Sequence, residues 1–150
     1  MAAAWWRAAL VMLAVVAVDQ AAKALVVDSL TRGERRDLVL GIDLVRVRNT
    51  GIAFGLFDGG GAALTVVTLA ALALLLVYFA THATRPLLWL ATGLLLGGAL
   101  GNLLDRARDG AVTDFIDLPL WPAFNVADMA ITAGVVTLLL SLELAREDGA

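Results

Sequence analysis

Over most of this chain apolar positions neither alternate nor recur every three to four residues; they run without break for long stretches. Crossing the hydrocarbon of a bilayer takes about 20 predominantly apolar residues, and residues 59–80 and 86–104 meet that with no charge in either. Residues 5–27 and 124–144 are as apolar but carry charge toward one end, Asp19 and Lys23 in the first and Asp128 and Glu143 in the second. A helix that is hydrophobic on every side belongs in a membrane or a deep core. The pattern predicts an all-α integral membrane protein of four transmembrane helices, one membrane domain over residues 1–150. The first run, with Arg7 ahead of it and small residues at its end, has the outline of a cleaved signal peptide. Asp19 fits that poorly, so a retained span is expected.

Three connections separate the runs. In residues 28–58 Leu38, Leu40, Ile42 and Leu44 alternate with other residues before Val45 and Val47 take over, which predicts short β-strands with a register change, a small β-cradle between the first two spans. Residues 81–85 form a short turn, and in residues 105–123 Pro119 and Pro122 prevent a continuous helix. Four spans put both termini and the short turn on one side and the two long loops on the other. The terminal side carries Arg7, Arg85 and Arg146, the loop side Lys23, Arg32, Arg35, Arg36, Arg46, Arg48, Arg106 and Arg108. By the positive-inside rule alone the long loops would be cytoplasmic.

Composition then removes whole classes of chemistry. Hydrophobic residues make up 61% of the chain and the net charge is −3, so a nucleic-acid partner is not expected. With no cysteine there is no disulfide, thiolate nucleophile or Cys-based zinc site, and His82 is the sole histidine, which leaves too few imidazoles for a two-His metal site. No metal is expected.

On the four-span arrangement Asp19, Lys23, Asn49, Asn102, Asp105, Arg106, Asp114, Asn125 and Asp128 all fall toward one membrane face. Ionisable groups in or beside spans are costly and mark function, unless pairing makes them structural. Asp19 and Lys23, four apart with the acid first, suit a structural ion pair. Gly93, Gly97 and Gly101 form a small-residue stripe that lets helices approach, and Asp105 with Arg106 suits an interfacial pair. Asn125 followed three residues on by Asp128 has the form of a helix N-cap. Asp114 lies in an apolar, strand-like stretch, where a carboxylate is ordinarily solvated. Taken together, Asp114 and Asp128 suit aspartyl proteolysis: an apolar setting and a second acid part their proton affinities, so one can activate water while the other hydrogen-bonds the scissile carbonyl. A Ser-Lys dyad of Ser29 and Lys23 would leave both acids unexplained. A small proton-coupled transporter or channel is the alternative from another class; it needs carboxylates along a path through the midplane.

Four motifs follow one another from the first span to the last: Asp19-Gln20-Ala21-Ala22-Lys23; Arg48-Asn49-Thr50-Gly51-Ile52-Ala53-Phe54; Gly101-Asn102-Leu103-Leu104-Asp105-Arg106 continuing to Asp114-Phe115-Ile116-Asp117; and Trp121-Pro122-Ala123-Phe124-Asn125-Val126-Ala127-Asp128. In order and content they resemble the lipoprotein signal peptidases, the signal peptidase II family of aspartyl intramembrane proteases. The resemblance implies that Asp114 and Asp128 form the catalytic dyad and that Asp19, Lys23, Asn49, Gly51, Asn102, Asp105, Arg106 and Asn125 support the site or the substrate. It implies cleavage of the signal peptide from a diacylglyceryl-modified prolipoprotein just before the lipid-bearing cysteine, without metal or organic cofactor. It further implies a monomer among membrane phospholipid, inhibited by globomycin, in the bacterial inner membrane with both termini cytoplasmic and the site near the extracytoplasmic face, against the charge count. Ile52, Gly55 and Thr113 depart from the family's usual residues, and bear on substrate preference.

Overall fold

The computed structural model describes residues 1–39, 41–51 and 60–147. Four helices run as α1 (Ala2–Ser29), α2 (Gly60–His82), α3 (Leu88–Asp109) and α4 (Val126–Glu147), each long and apolar enough to cross a membrane. Between α1 and α2 lie β1 (Arg35–Val39) and β2 (Ile42–Asn49); between α3 and α4 lie β3 (Val112–Leu118) and β4 (Trp121–Phe124). The strands form one antiparallel sheet in the order β1-β2-β3-β4. The cradle expected from the first loop is therefore completed by two strands from the third. Pro122, which cannot donate to a ladder, sits on the edge strand β4. The register change expected in the first loop falls in the pairing of β2 with β3, between Leu44 and Val47; Leu40, and the motif residues from Ile52 on, lie outside the described residues.

α3 is the most buried helix and α2 the least, and glycines explain the difference. A methyl group at Gly93 would lie 2.7 Å from the Ala8 carbonyl oxygen, and one at Gly97 2.7 Å from Val15 Cβ, so this side of α3 meets α1 at backbone range. On the other side a methyl at Gly98 would lie 2.4 Å from the Ala127 carbonyl oxygen of α4. Small residues are how helices associate where lipid competes equally for apolar side chains. α2 is anchored near its C-terminal end, where Phe79 packs with Ala8, Ala83 and Leu88 and its ring stands 4.7 Å from that of Trp5. The sheet lies across the other end of the bundle, Phe115 packing with Val26 of α1 and Leu30 just past its end, and flanked by Leu44, Ile116 and Val126.

Candidate active site

At the sheet end of the bundle the polar residues form two joined clusters. In the first, the Lys23 ammonium meets Asp19 Oδ2 at 2.8 Å, Asp105 Oδ2 at 2.9 Å and Asn102 Oδ1 at 3.0 Å. Lysine has three donors, and all are used. Asp19, fully buried, also accepts from the backbone amide of Ala127 at 2.9 Å, capping the start of α4; Asp105 accepts from the Thr113 amide at 3.2 Å, fixing the start of β3. The Asp19–Lys23 pair is present as expected, and its second acid is Asp105. The pair expected between Asp105 and Arg106 is not formed: Asp105 turns toward Lys23 because the buried ammonium needs a second counter-charge. The Nε of Arg106 is buried without an acceptor among the described residues.

In the second cluster, Asp114 projects from β3 and Asp128 from the first turn of α4. Asp114 is 2% exposed; its Oδ1 accepts from Asn125 Nδ2 at 2.6 Å and its Oδ2 from Asn49 Nδ2 at 2.9 Å. Asp128, half-buried, accepts from Asn102 Nδ2 at 2.9 Å and from the Asn125 backbone amide at 3.2 Å. Asn125 Oδ1 in turn accepts from the Asp128 amide at 3.0 Å, so the cap expected of these two residues is reciprocal. The same Asn125 holds both carboxylates. Among the described residues neither acid is in an ion pair. Burial pushes the Asp114 carboxyl up to about 6; the amides of Asn49 and Asn125 pull it down, and the neighbouring Asp128 charge pushes it up again.

Asn102 joins the clusters: its Oδ1 takes Lys23 and Asn125, and its Nδ2 goes to Asp128. Gly51, with φ +80°, lets the chain turn so that its amide donates to Asn49 Oδ1 at 2.9 Å, which aims the Asn49 amide group at Asp114. Two supports were not singled out from sequence. Gln20 donates to Asp105 at 2.9 Å and to the Gly101 carbonyl at 3.3 Å, tying α1 to α3; its place inside the first motif was the available signal. Arg48 donates to the Asp109 carbonyl at the C-terminus of α3 and so ties β2, one residue before Asn49, to that helix. Ser29 is exposed and donates to the Leu25 carbonyl, which with the saturated Lys23 removes the Ser-Lys dyad. Among the described residues no group of three or more His, Cys, Asp and Glu is placed to hold a metal.

A cavity of about 290 Å³, lined by Val47, Asn49, Asp114 and Pro122 among others, opens beside Asp114. A larger apolar groove of about 610 Å³ runs between α2, α3 and α4. Its lining residues Ala99 and Ile131 each stand three positions, or about one turn, from Asn102 and Asp128.

Fold and site together define a multi-pass membrane protein with a pair of amide-held carboxylates at the edge of its apolar bundle. The sequence model of the family described as signal peptidase (SPase) II matches residues 11–144. The chain belongs to that family, and is a protease. It is 37% identical over 134 residues to a lipoprotein signal peptidase of Halothermothrix orenii, covering 89% of this chain and 92% of that protein. With the lipoprotein signal peptidase of Moorella thermoacetica the identity is 43% over 143 residues, 93% and 95% of the two chains. The fold is similar to that of a bacterial membrane enzyme solved by the in meso method at 1.9 Å resolution, with a TM-score of 0.84 and 30% identity over 90% of this chain and 91% of that one. The transporter alternative is not favoured, since the carboxylates gather at one end of the bundle.

Proposed function

We propose that this protein removes signal peptides from diacylglyceryl-modified prolipoproteins, cleaving before the lipid-bearing cysteine with Asp114 and Asp128 as its dyad. The observation that carries the reading is the shared grip of Asn125 on both acids, which brings them together with neither in an ion pair among the described residues. Asp114, the more buried and the one pushed up, keeps the proton and hydrogen-bonds the scissile carbonyl oxygen as negative charge develops there. Asp128 takes a proton from the attacking water. A substrate that covers the site excludes water and pushes Asp114 further the same way. Asn49, Asn102 and Asn125 orient the two carboxylates, Gly51 orients Asn49, Asp19, Lys23 and Asp105 hold the elements that carry them, and Arg106 supports the site from the last turn of α3. The groove ending one turn below the dyad would take the apolar part of the substrate.

In this reading both termini are cytoplasmic and the dyad lies near the extracytoplasmic face of the inner membrane. Six of the eight loop-side cations that opposed it, all but Arg32 and Arg106, are structurally committed. Lys23 and Arg35 are ion-paired, Arg46 and Arg48 donate to carbonyls at the ends of α1 and α3, Arg36 bonds Glu34 and the Ser29 carbonyl, and Arg108 bonds Gln20. Such charges serve the fold, and counting them as free loop charge overstates their vote on orientation. The enzyme is proposed to act as a monomer in phospholipid, and globomycin to occupy the same site. The test is cleavage of a diacylglyceryl-modified prolipoprotein by purified protein and by folded Asp114→Asn and Asp128→Asn. Cleavage by wild type alone supports the dyad; cleavage by either variant removes that acid from the mechanism, and an inactive wild type overturns the substrate.

A further inference from the structure

We propose that the tips of the sheet's two hairpins form a membrane-inserting edge, seated among the headgroups and upper acyl chains of the leaflet on the site's side. The tips carry large, mostly exposed apolar side chains: Leu38 is 58% exposed, Val39 62%, Trp121 66% and Leu120 105%. The two turns are neighbours, since a methyl group at Gly41 would lie 3.5 Å from Pro119 Cγ. Leu120 is in the left-handed region at φ 64°. A turn in water would place Gly or Asn there, because a branched apolar side chain is disfavoured in that conformation. In water Leu120 has both costs, strain and exposure, with no return; in lipid its exposure becomes favourable.

Three observations select lipid as the occupant. The first is continuity: four residues of β4 span about 13 Å and lead through Asn125 into α4, a helix apolar enough to cross a membrane whose Met129, Val136 and Leu139 are exposed. Because Phe115 packs on Val26 of α1 and on Leu30 just past its end, the sheet lies across the helix ends rather than standing away from them. The second is layering: directly behind the tips Arg35 meets Asp43 at 2.5 Å and Asp117 at 2.6 Å, a charged band suited to headgroups, with a Trp ahead of it as in interfacial belts. The third is area. A stable protein interface needs roughly 800 Å² on each partner, more than a few side chains on two narrow turns offer. With β1 to β4 held to the bilayer by its far edge, β3 is fixed at both ends, and the depth at which Asp114 meets a membrane-borne substrate is set.

The chain has no cysteine, so a single one takes a unique spin label. Leu120→Cys and, on the other hairpin, Val39→Cys are labelled in protein reconstituted into phosphatidylethanolamine–phosphatidylglycerol vesicles. Relaxation by oxygen, which concentrates in lipid, is compared with relaxation by a water-soluble nickel chelate. Arg32→Cys in the exposed loop and Leu139→Cys on the exposed face of α4 give the water and lipid limits. At both tips the oxygen-to-chelate ratio should exceed that at residue 32 severalfold and approach that at residue 139. A water-like ratio at both tips overturns the proposal; so does protection from both reagents, which would mean a protein partner or a second copy.

Discussion

Two pairs of acids, all buried but the half-buried Asp128, stand at one end of this bundle, and they are treated oppositely. Asp19 and Asp105 share one ammonium, and Gln20 donates to each. Among the described residues Asp114 and Asp128 receive only amide donors, from Asn49, Asn102 and Asn125. An ion pair fixes a carboxylate as an anion and uses it as a clamp, whereas neutral donors orient a carboxylate while leaving its proton exchangeable. Burial does not separate the pairs, since Asp19 and Asp114 are both almost without exposure. The nature of the partner separates them, and Asn102, bonded to Lys23 on one side and Asp128 on the other, is the boundary.

The contrast breaks most directly if the acids are neutralised one at a time. Asp114→Asn or Asp128→Asn should lower kcat for prolipoprotein cleavage by about 10²- to 10⁴-fold or more while leaving thermal unfolding in detergent near wild type. Asp105→Asn should do the reverse, losing stability because Lys23 keeps a single counter-charge, with cleavage reduced only as far as β3 shifts. If Asp105→Asn were the inert, fully stable variant, the division between clamp and chemistry would be wrong. The next effect in size is Lys23→Met. It leaves two buried carboxylates uncompensated and should cost about 3–5 kcal/mol, read as a lowered midpoint of unfolding; adding Asp19→Asn and Asp105→Asn should recover part of that loss.

How far the sequence foretold this contrast depends on whether the deciding contact was local. The four spans needed only continuous apolar length, and the Asp19–Lys23 and Asn125–Asp128 relations needed only helical spacing. The partner expected for Asp105 was wrong for the same reason: its neighbour Arg106 was visible in the chain, whereas Lys23, 82 positions away, was visible only once α1 and α3 had packed on their glycines. The sheet shows the same limit. Alternation exposed strands in the first loop, but the two prolines drew attention to interruption in the third, and nothing local says that β3 would pair with β2 and bring Val47 opposite Asp114.

A smaller effect sharpens the account of the proton. Asp114 titrates near 6 instead of its ordinary 3.8, so activity that needs its proton should fall as pH rises from about 6 toward 8. The same shift contributes stability that is complete below about 4 and is lost as pH rises through about 6. The Asn49 hydrogen bond favours the ionised form. Asn49→Ala should therefore move the alkaline limb of kcat/KM, which reports the substrate-free enzyme, upward, even as kcat itself drops for want of an oriented carboxylate. An alkaline limb that stayed in place would show that another group governs it.

The smallest effect belongs to a third arrangement of acids, on the sheet, where Asp43 and Asp117 face each other across β2 and β3 and Arg35 bridges them. Two like charges directly opposite are unfavourable, and the contacts are as short as those around Lys23. Arg35, however, is 57% exposed, and water screens what the bundle cannot. Its guanidinium is held above its ordinary value, first by the hydrogen bond to Asp43 and then by the Asp117 charge. Arg35→Ala should nonetheless leave both the unfolding midpoint and cleavage in detergent close to wild type. A loss rivalling that of Lys23→Met would mean that the sheet edge is shielded from water, and that contact number rather than burial decides which of these acids the fold depends on.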